Sequence, residues 1–150
     1  MSWLKSFEVV GSGLRAQRVR MEVAAQNLAN ADVTRTPQGG PYKRKEVVLA
    51  SLLPEPVALP AALGLRGGEE LEEGVATVEV VGVQDDPSPP RRVYDPGHPD
   101  ADQQGYVLMP NVQVPVEMAD MMAAARAYEA NAAALENLQR SVERALELLR

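Results

Sequence analysis

Cysteine is absent from this chain, which excludes disulfides, thiolate metal ligands and thiol nucleophiles. Its absence fixes no compartment. Histidine occurs once, at His98, so any imidazole chemistry would have to run through that residue alone. Aromatics are scarce as well: Trp3, Phe7, Tyr42, Tyr94, Tyr106 and Tyr128 are all there are. With Ala, Val and Leu abundant, that balance suits helix packing better than a deep ligand pocket. No apolar run approaches the ~20 residues that a membrane span requires. The opening MSWLKSFEVVGSGLRAQRVR has no basic segment followed by an apolar run and a small-residue cleavage site. No cleaved secretory signal is therefore expected. The net charge of −6 gives no general reason to expect nucleic acid as a partner.

What is present is helical periodicity at both ends. From Pro115 onward, alternating steps of three and four give Met118, Met121, Ala125, Tyr128, Ala132, Leu135, Gln139, Val142, Leu146 and Leu149. All but Gln139 are apolar, and the spacing is that of a coiled-coil seam. Pro115 suits the first turn of such a helix, and Glu117 suits its positive end. At 1.5 Å per residue the helix would run about 50 Å, longer than a small domain is wide. It needs a partner.

A second stripe supplies one. Trp3, Phe7, Val10, Leu14, Gln17, Met21, Ala24 and Leu28 repeat at the same spacing, with Ser2 suited to the N-cap. Gly11 and Gly13 interrupt it, each costing about 1 kcal/mol relative to Ala unless a neighbouring helix comes close there. An antiparallel pairing with Gln17 opposite Gln139 would set Leu14 against Val142, Met21 against Leu135 and Leu28 against Tyr128. The two glutamines would then form one polar layer that fixes register, and replacing both with Leu would raise thermal stability.

Between the helices the pattern changes. NADVTRTPQGGPY, from Asn30, is a turn-rich loop, and Asn27 and Asn30 flank the helix end, where Asn tolerates a left-handed cap. Strands are expected at about 43–52, 75–83, 92–94 and within GYVLMP, making a small antiparallel sheet with protruding loops. The Pro-, Gly- and Glu-rich stretch at 54–74 reads as a flexible excursion. The expected fold class is α+β, with long terminal helices pairing as a coiled coil around a small antiparallel β insertion. Two regions follow: 1–30 with 115–150 as the helical part, and 31–114 as the loop and β part.

Residues able to carry catalysis or bind a ligand are few and poorly spaced. Asp95, His98, Asp100 and Asp102 are chemically able to hold a divalent ion, but their spacing matches no calcium loop, and Asp and Pro are ordinary turn formers. A hydrolase would have to use that same His98, and no nucleophile elbow exists. Gly11-Ser12-Gly13 lacks the strand-then-helix context of a phosphate loop. The expectation is no catalytic residue, no metal, no cofactor and no small-molecule substrate.

Three segments carry a resemblance: ANADVTRTPQGGPYKRK after the first helix, DPSPPRRVYDPGHPDAD in the middle, and GYVLMPNVQVPVEMADMMAAARAYEANAAALENL towards the end. In this order they resemble the rod proteins of the flagellar axial family. The Asn27–Asn30–Thr34 pattern is general to that family, whereas DPGHPDAD and RAYEAN narrow the resemblance to one rod component. Gln113, where the family often has Asn, and Pro115 depart from its pattern. The resemblance implies a structural subunit of the proximal rod of the basal body, exported unfolded by the flagellar type III apparatus. It also implies helical assembly with copies of itself and other rod proteins, the terminal helices forming an inner tube. Asn27, Asn30, Thr34 and the segment from Tyr128 to Asn131 would then serve intersubunit contacts, beside the seam residues Gln17, Met118, Met121, Leu135 and Gln139. The alternatives are a discrete dimeric helical-hairpin adaptor outside the rod, or another axial protein of the flagellum.

Overall fold

The first helix, α1, runs from Trp3 to Ala29, and the computed structural model describes residues 3–52 and 75–148. The chain continues through β1 (Lys45–Leu52), β2 (Thr77–Asp85), β3 (Arg91–Tyr94) and β4 (Tyr106–Met109) to α2 (Val114–Leu148). The class is α+β, with two terminal helices in antiparallel contact and an antiparallel β insertion between them. Ser2, Leu149 and the stretch at 54–74 lie outside the described residues.

The insertion is not one sheet. β1 pairs with β2, and β3 pairs with β4, as two separate two-stranded ladders. Pro87, Pro89 and Pro90 stand between them and cannot donate to a ladder, so pairing stops there. A bulge between Val48 and Leu49 leaves Val81 without a partner on β1, and its side chain projects outward.

The β1–β2 hairpin lies lengthwise along α1 and is fastened at two places. Val78 N–H donates to Ser12 Oγ at 3.2 Å. Near the other end, Asn27 bonds both backbone groups of Lys45. The two anchors are ~22 Å apart on a helix. Lys45 and Ser51, the residue paired with Val78, are ~20 Å apart on a strand, so the spans match.

α1 ends by a different device from the expected left-handed cap. No residue other than glycine has a positive φ among the described residues. Instead the last turn tightens, Asn30 N–H reaching the Gln26 and Asn27 carbonyls and Ala31 N–H that of Leu28, while the Asn30 side-chain N–H adds a second bond to the Gln26 carbonyl at 2.8 Å. At the start of α2, Pro115 occupies the first turn, as its missing N–H favours.

The helix pairing departs furthest from expectation. A Cβ built on Gly13 would stand 2.9 Å from Asn131 Nδ2, and the Asn27 side chain bonds Glu117 at 3.0 Å. These two contacts are equally spaced on both helices, so they describe a single register. It sets Gln17 near the level of Ala127, and Gln139 near the level of Lys5. The expected glutamine layer is therefore not formed: Gln17 is half-buried and accepts a bond from Arg20, and Gln139 is exposed. The pairing of Leu14 with Val142, Met21 with Leu135 and Leu28 with Tyr128 falls with it.

The faces differ too. α1 buries Ser12, Ala16, Val23, Ala24 and Asn27, and α2 buries Glu117 and Ala124. Only Ala24 belongs to the expected seams. The buried face of α1 is turned roughly 130° from its apolar stripe, at 100° per residue. Small size and hydrogen-bond satisfaction, rather than hydrophobicity, select it. Gly13, Ala16 and Ala124 let the backbones approach, so the glycine cost at position 13 is offset by close packing.

Gln17 and Gln139 standing apart makes a prediction. Stability changes from Gln17→Leu and Gln139→Leu should add, with a coupling below about 0.5 kcal/mol in a double-mutant cycle followed by denaturant unfolding. A coupling well above that would restore the glutamine layer.

Candidate functional site

Asn27 is 1% exposed and uses all its hydrogen-bonding capacity. Its Nδ2 donates to the Lys45 carbonyl at 2.9 Å and to Glu117 Oε2 at 3.0 Å. Its Oδ1 accepts from Lys45 N–H at 2.9 Å and from the Tyr42 hydroxyl at 3.0 Å. One side chain thus joins the end of α1, the loop before β1, β1 itself and the first turn of α2.

Glu117 is the second centre. It is also 1% exposed, and its other oxygen accepts from Arg44 Nε at 2.6 Å. Arg44 reaches on to Asp86 at 3.4 Å, beyond the end of β2, while Asp86 N–H donates to the Arg44 carbonyl at 2.7 Å. A carboxylate taken out of water is expensive unless it is paired and fully bonded. Here both oxygens are engaged, and no described side chain is left buried with an unmet polar atom.

The electrostatics follow the geometry. Burial alone would pull the Arg44 guanidinium down, but the hydrogen bond and charge of Glu117, then Asp86, hold it above its ordinary value. Burial pushes the Tyr42 phenol up, with Asp85 and Glu117 adding to the shift. Hydrogen bonds from Ser88, followed by the Arg44 charge, hold the Asp86 carboxyl below its ordinary value.

A second cluster organises the loop between β3 and β4. The Thr34 hydroxyl donates to Asp100 at 2.8 Å, and Arg35 pairs with the same carboxylate at 3.1 Å. Asp95 accepts from Gly97 N–H, and Asp102 accepts from the N–H groups of Gln104 and Tyr106. The Tyr106 amide, then that of Gln104 and the Arg92 charge, hold the Asp102 carboxyl below its ordinary value. These acids act as turn formers, and among the described residues no three His, Asp or Glu side chains are grouped to hold a metal. Tyr94 meets Tyr106 edge to face at 5.3 Å, with Arg92 over the Tyr106 ring at 4.5 Å. Gly105, at φ +81°, admits this pair, since a Cβ there would stand 2.9 Å from the Tyr94 ring.

The expected interaction residues therefore separate. Asn27, Asn30 and Thr34 are each bonded within the chain, and Asn27 has no capacity left for a neighbour. Asn131 and Leu135 are half-buried on α2, with Asn131 against Gly13, and Met121 is half-buried nearer the start of the same helix. Met118 and Tyr128 are exposed. Sequence reasoning missed Ser12, Tyr42, Arg44 and Glu117. Glu117 passed as a dipole residue, and Arg44 carried no expectation of its own. The available signal was a polar Ser between two glycines inside a helix.

The junction sets the stability of the chain. Glu117→Ala should cost about 3–5 kcal/mol, because Arg44 and Asn27 lose their shared partner. Tyr42→Phe should cost about 1–3 kcal/mol, because it leaves the buried Asn27 oxygen one bond short, both read by denaturant unfolding. The depressed Asp86 and Asp102 contribute stability that is complete above their ordinary value of 3.8 and lost as pH falls through the lower folded values. The raised Tyr42 contributes stability that is complete below its ordinary 10.0 and lost as pH rises through the higher folded value. In thermal melts across pH, Tyr42→Phe should diminish the alkaline loss and leave the acid loss unchanged.

Comparison with known proteins agrees with this architecture. A family described as flagella basal body rod protein matches residues 7–35, and one described as flagellar basal body rod FlgEFG protein C-terminal matches residues 103–148. The flagellar basal-body rod protein FlgC of Borreliella burgdorferi is 38% identical, covering 99% of each chain. FlgC of Escherichia coli O6:H1 is 40% identical over 99% of this chain and 98% of its own. FlgC of Bacillus subtilis is 39% identical over 99% of both. At this identity over nearly the whole length, the chain belongs to the FlgC family of flagellar basal-body rod proteins.

Proposed function

We propose that this chain is a structural, non-enzymatic subunit of the proximal rod, transmitting torque from motor to hook by packing against copies of itself and other rod proteins. The observation that carries the reading is an inverted distribution of apolar side chains. Among the described residues no buried apolar side chain is larger than valine, whereas Trp3, Leu4, Met118, Met122, Tyr128, Leu146 and Leu148 are exposed. Each such side chain is worth about 1.5–3 kcal/mol when buried, so the chain alone forgoes much of its hydrophobic stabilisation.

The two apolar stripes serve this purpose. Most of their members are only half-buried within the chain, and Trp3, Met118, Tyr128 and Leu146 are exposed, so apolar surface is left for neighbouring subunits. Subunits that join through non-identical surfaces, with a rotation that does not close, build an open helical filament. On this reading the helical part, 1–30 with 115–150, forms the inner assembly and the 31–114 part stands outside it. The chain reaches the basal body through the flagellar type III export apparatus. No described helix is long and apolar enough to cross a membrane.

The reading predicts that helicity and sedimentation coefficient rise with concentration or on adding partner rod proteins. A cooperative melt independent of concentration, with a monomer at every concentration, would contradict it.

A further inference from the structure

Six methionines occur in the chain, and three of them crowd the start of α2 in the run Met118-Ala-Asp-Met121-Met122. Their settings differ sharply. Met118 is 48% and Met122 52% exposed, while Met121, Met109 and Met21 are half-buried. The helix explains the division. Ala124 lies within roughly 20° of Glu117 around the axis and marks the buried side. Met121 is turned roughly 40° from Glu117, Met118 roughly 100° and Met122 roughly 140°. Val114, Met118 and Met122 follow one another at four-residue steps, so two open thioethers continue an exposed apolar strip.

We propose that Met118 and Met122 form an oxidation site that switches off assembly through this strip, acting on the subunit before its neighbours cover it. The inference rests on the assembly reading above. The reaction is oxygen transfer from a peroxide. The thioether sulfur attacks one peroxide oxygen, an S–O bond forms and the O–O bond breaks. The departing hydroxide takes the remaining proton and leaves as water. The sulfur is oxidised by two electrons and hydrogen peroxide is reduced. The product is a polar sulfoxide where an apolar contact is required, and methionine sulfoxide reductases reverse it.

Met121 is an internal control, one residue from Met122 and on the same helix. The full chain is treated with hydrogen peroxide under folding conditions and digested, and each methionine peptide is followed by its gain of about 16 Da per sulfoxide. Met118 and Met122 should oxidise first, ahead of Met121, Met109 and Met21. The untreated chain should associate in sedimentation, the oxidised chain should lose association, and reductase treatment should restore it. The Met118→Leu/Met122→Leu chain should associate before and after peroxide. Equal oxidation of Met121 and Met122, or undiminished association of the oxidised wild type, would overturn the switch alone. Failure of the untreated chain to associate would overturn the assembly reading, and the switch with it.

Discussion

Everything in this fold hangs from a carboxamide and a carboxylate that share one buried hydrogen bond. Asn27 and Glu117 stand at opposite ends of the sequence, and between them they bind α1, the loop before β1, β1, Arg44 and α2. Neither tolerates an unfilled bond, because a buried polar group without partners costs more than the bond returns. The network is therefore all or none. It sets the helix register, holds one end of the β1–β2 hairpin and, through Arg44 and Asp86, fixes where β2 turns away.

This arrangement leaves the apolar stripes only partly covered. If Leu14, Met21 and Tyr128 held the helices together, little hydrophobic surface would remain for a neighbour. Here small residues and satisfied polar groups do the intrachain work, at Gly13, Ala16, Ser12 and Ala124. Trp3, Leu4, Met118, Met122, Leu146 and Leu148 stay outside, and the other large apolar side chains of the helices are no more than half-buried. A subunit built this way keeps a specific shape alone and gains most of its hydrophobic stabilisation on assembly, which is a useful division for a component of a rigid shaft.

Much of the architecture was legible in the sequence. The helix limits followed from periodicity and from Pro115, and the four strands from β-branched runs between turn residues. The internal register was not. A stripe of large apolar residues reports which face wants to leave water, but not whether the partner is in the same chain. Gln17 and Gln139 suggested an intramolecular layer because each interrupts a stripe, yet the glutamines lie at different levels of the paired helices. Asn27 was legible as a residue of note through the family pattern, while its role was hidden. Its partners Tyr42, Arg44 and Glu117 are distant in sequence and ordinary in type. The single-sheet expectation failed because three prolines separate the hairpins.

The central claim is that Glu117 holds together parts of the chain far from its own helix. Hydrogen exchange of the full chain carrying Glu117→Gln, compared with the natural chain, tests this most directly. If the junction is all or none, protection should fall together at the end of α1, across 42–48 and in the first turn of α2. Loss of protection confined to the first turn of α2, with the Lys45 amide still protected, would contradict the account.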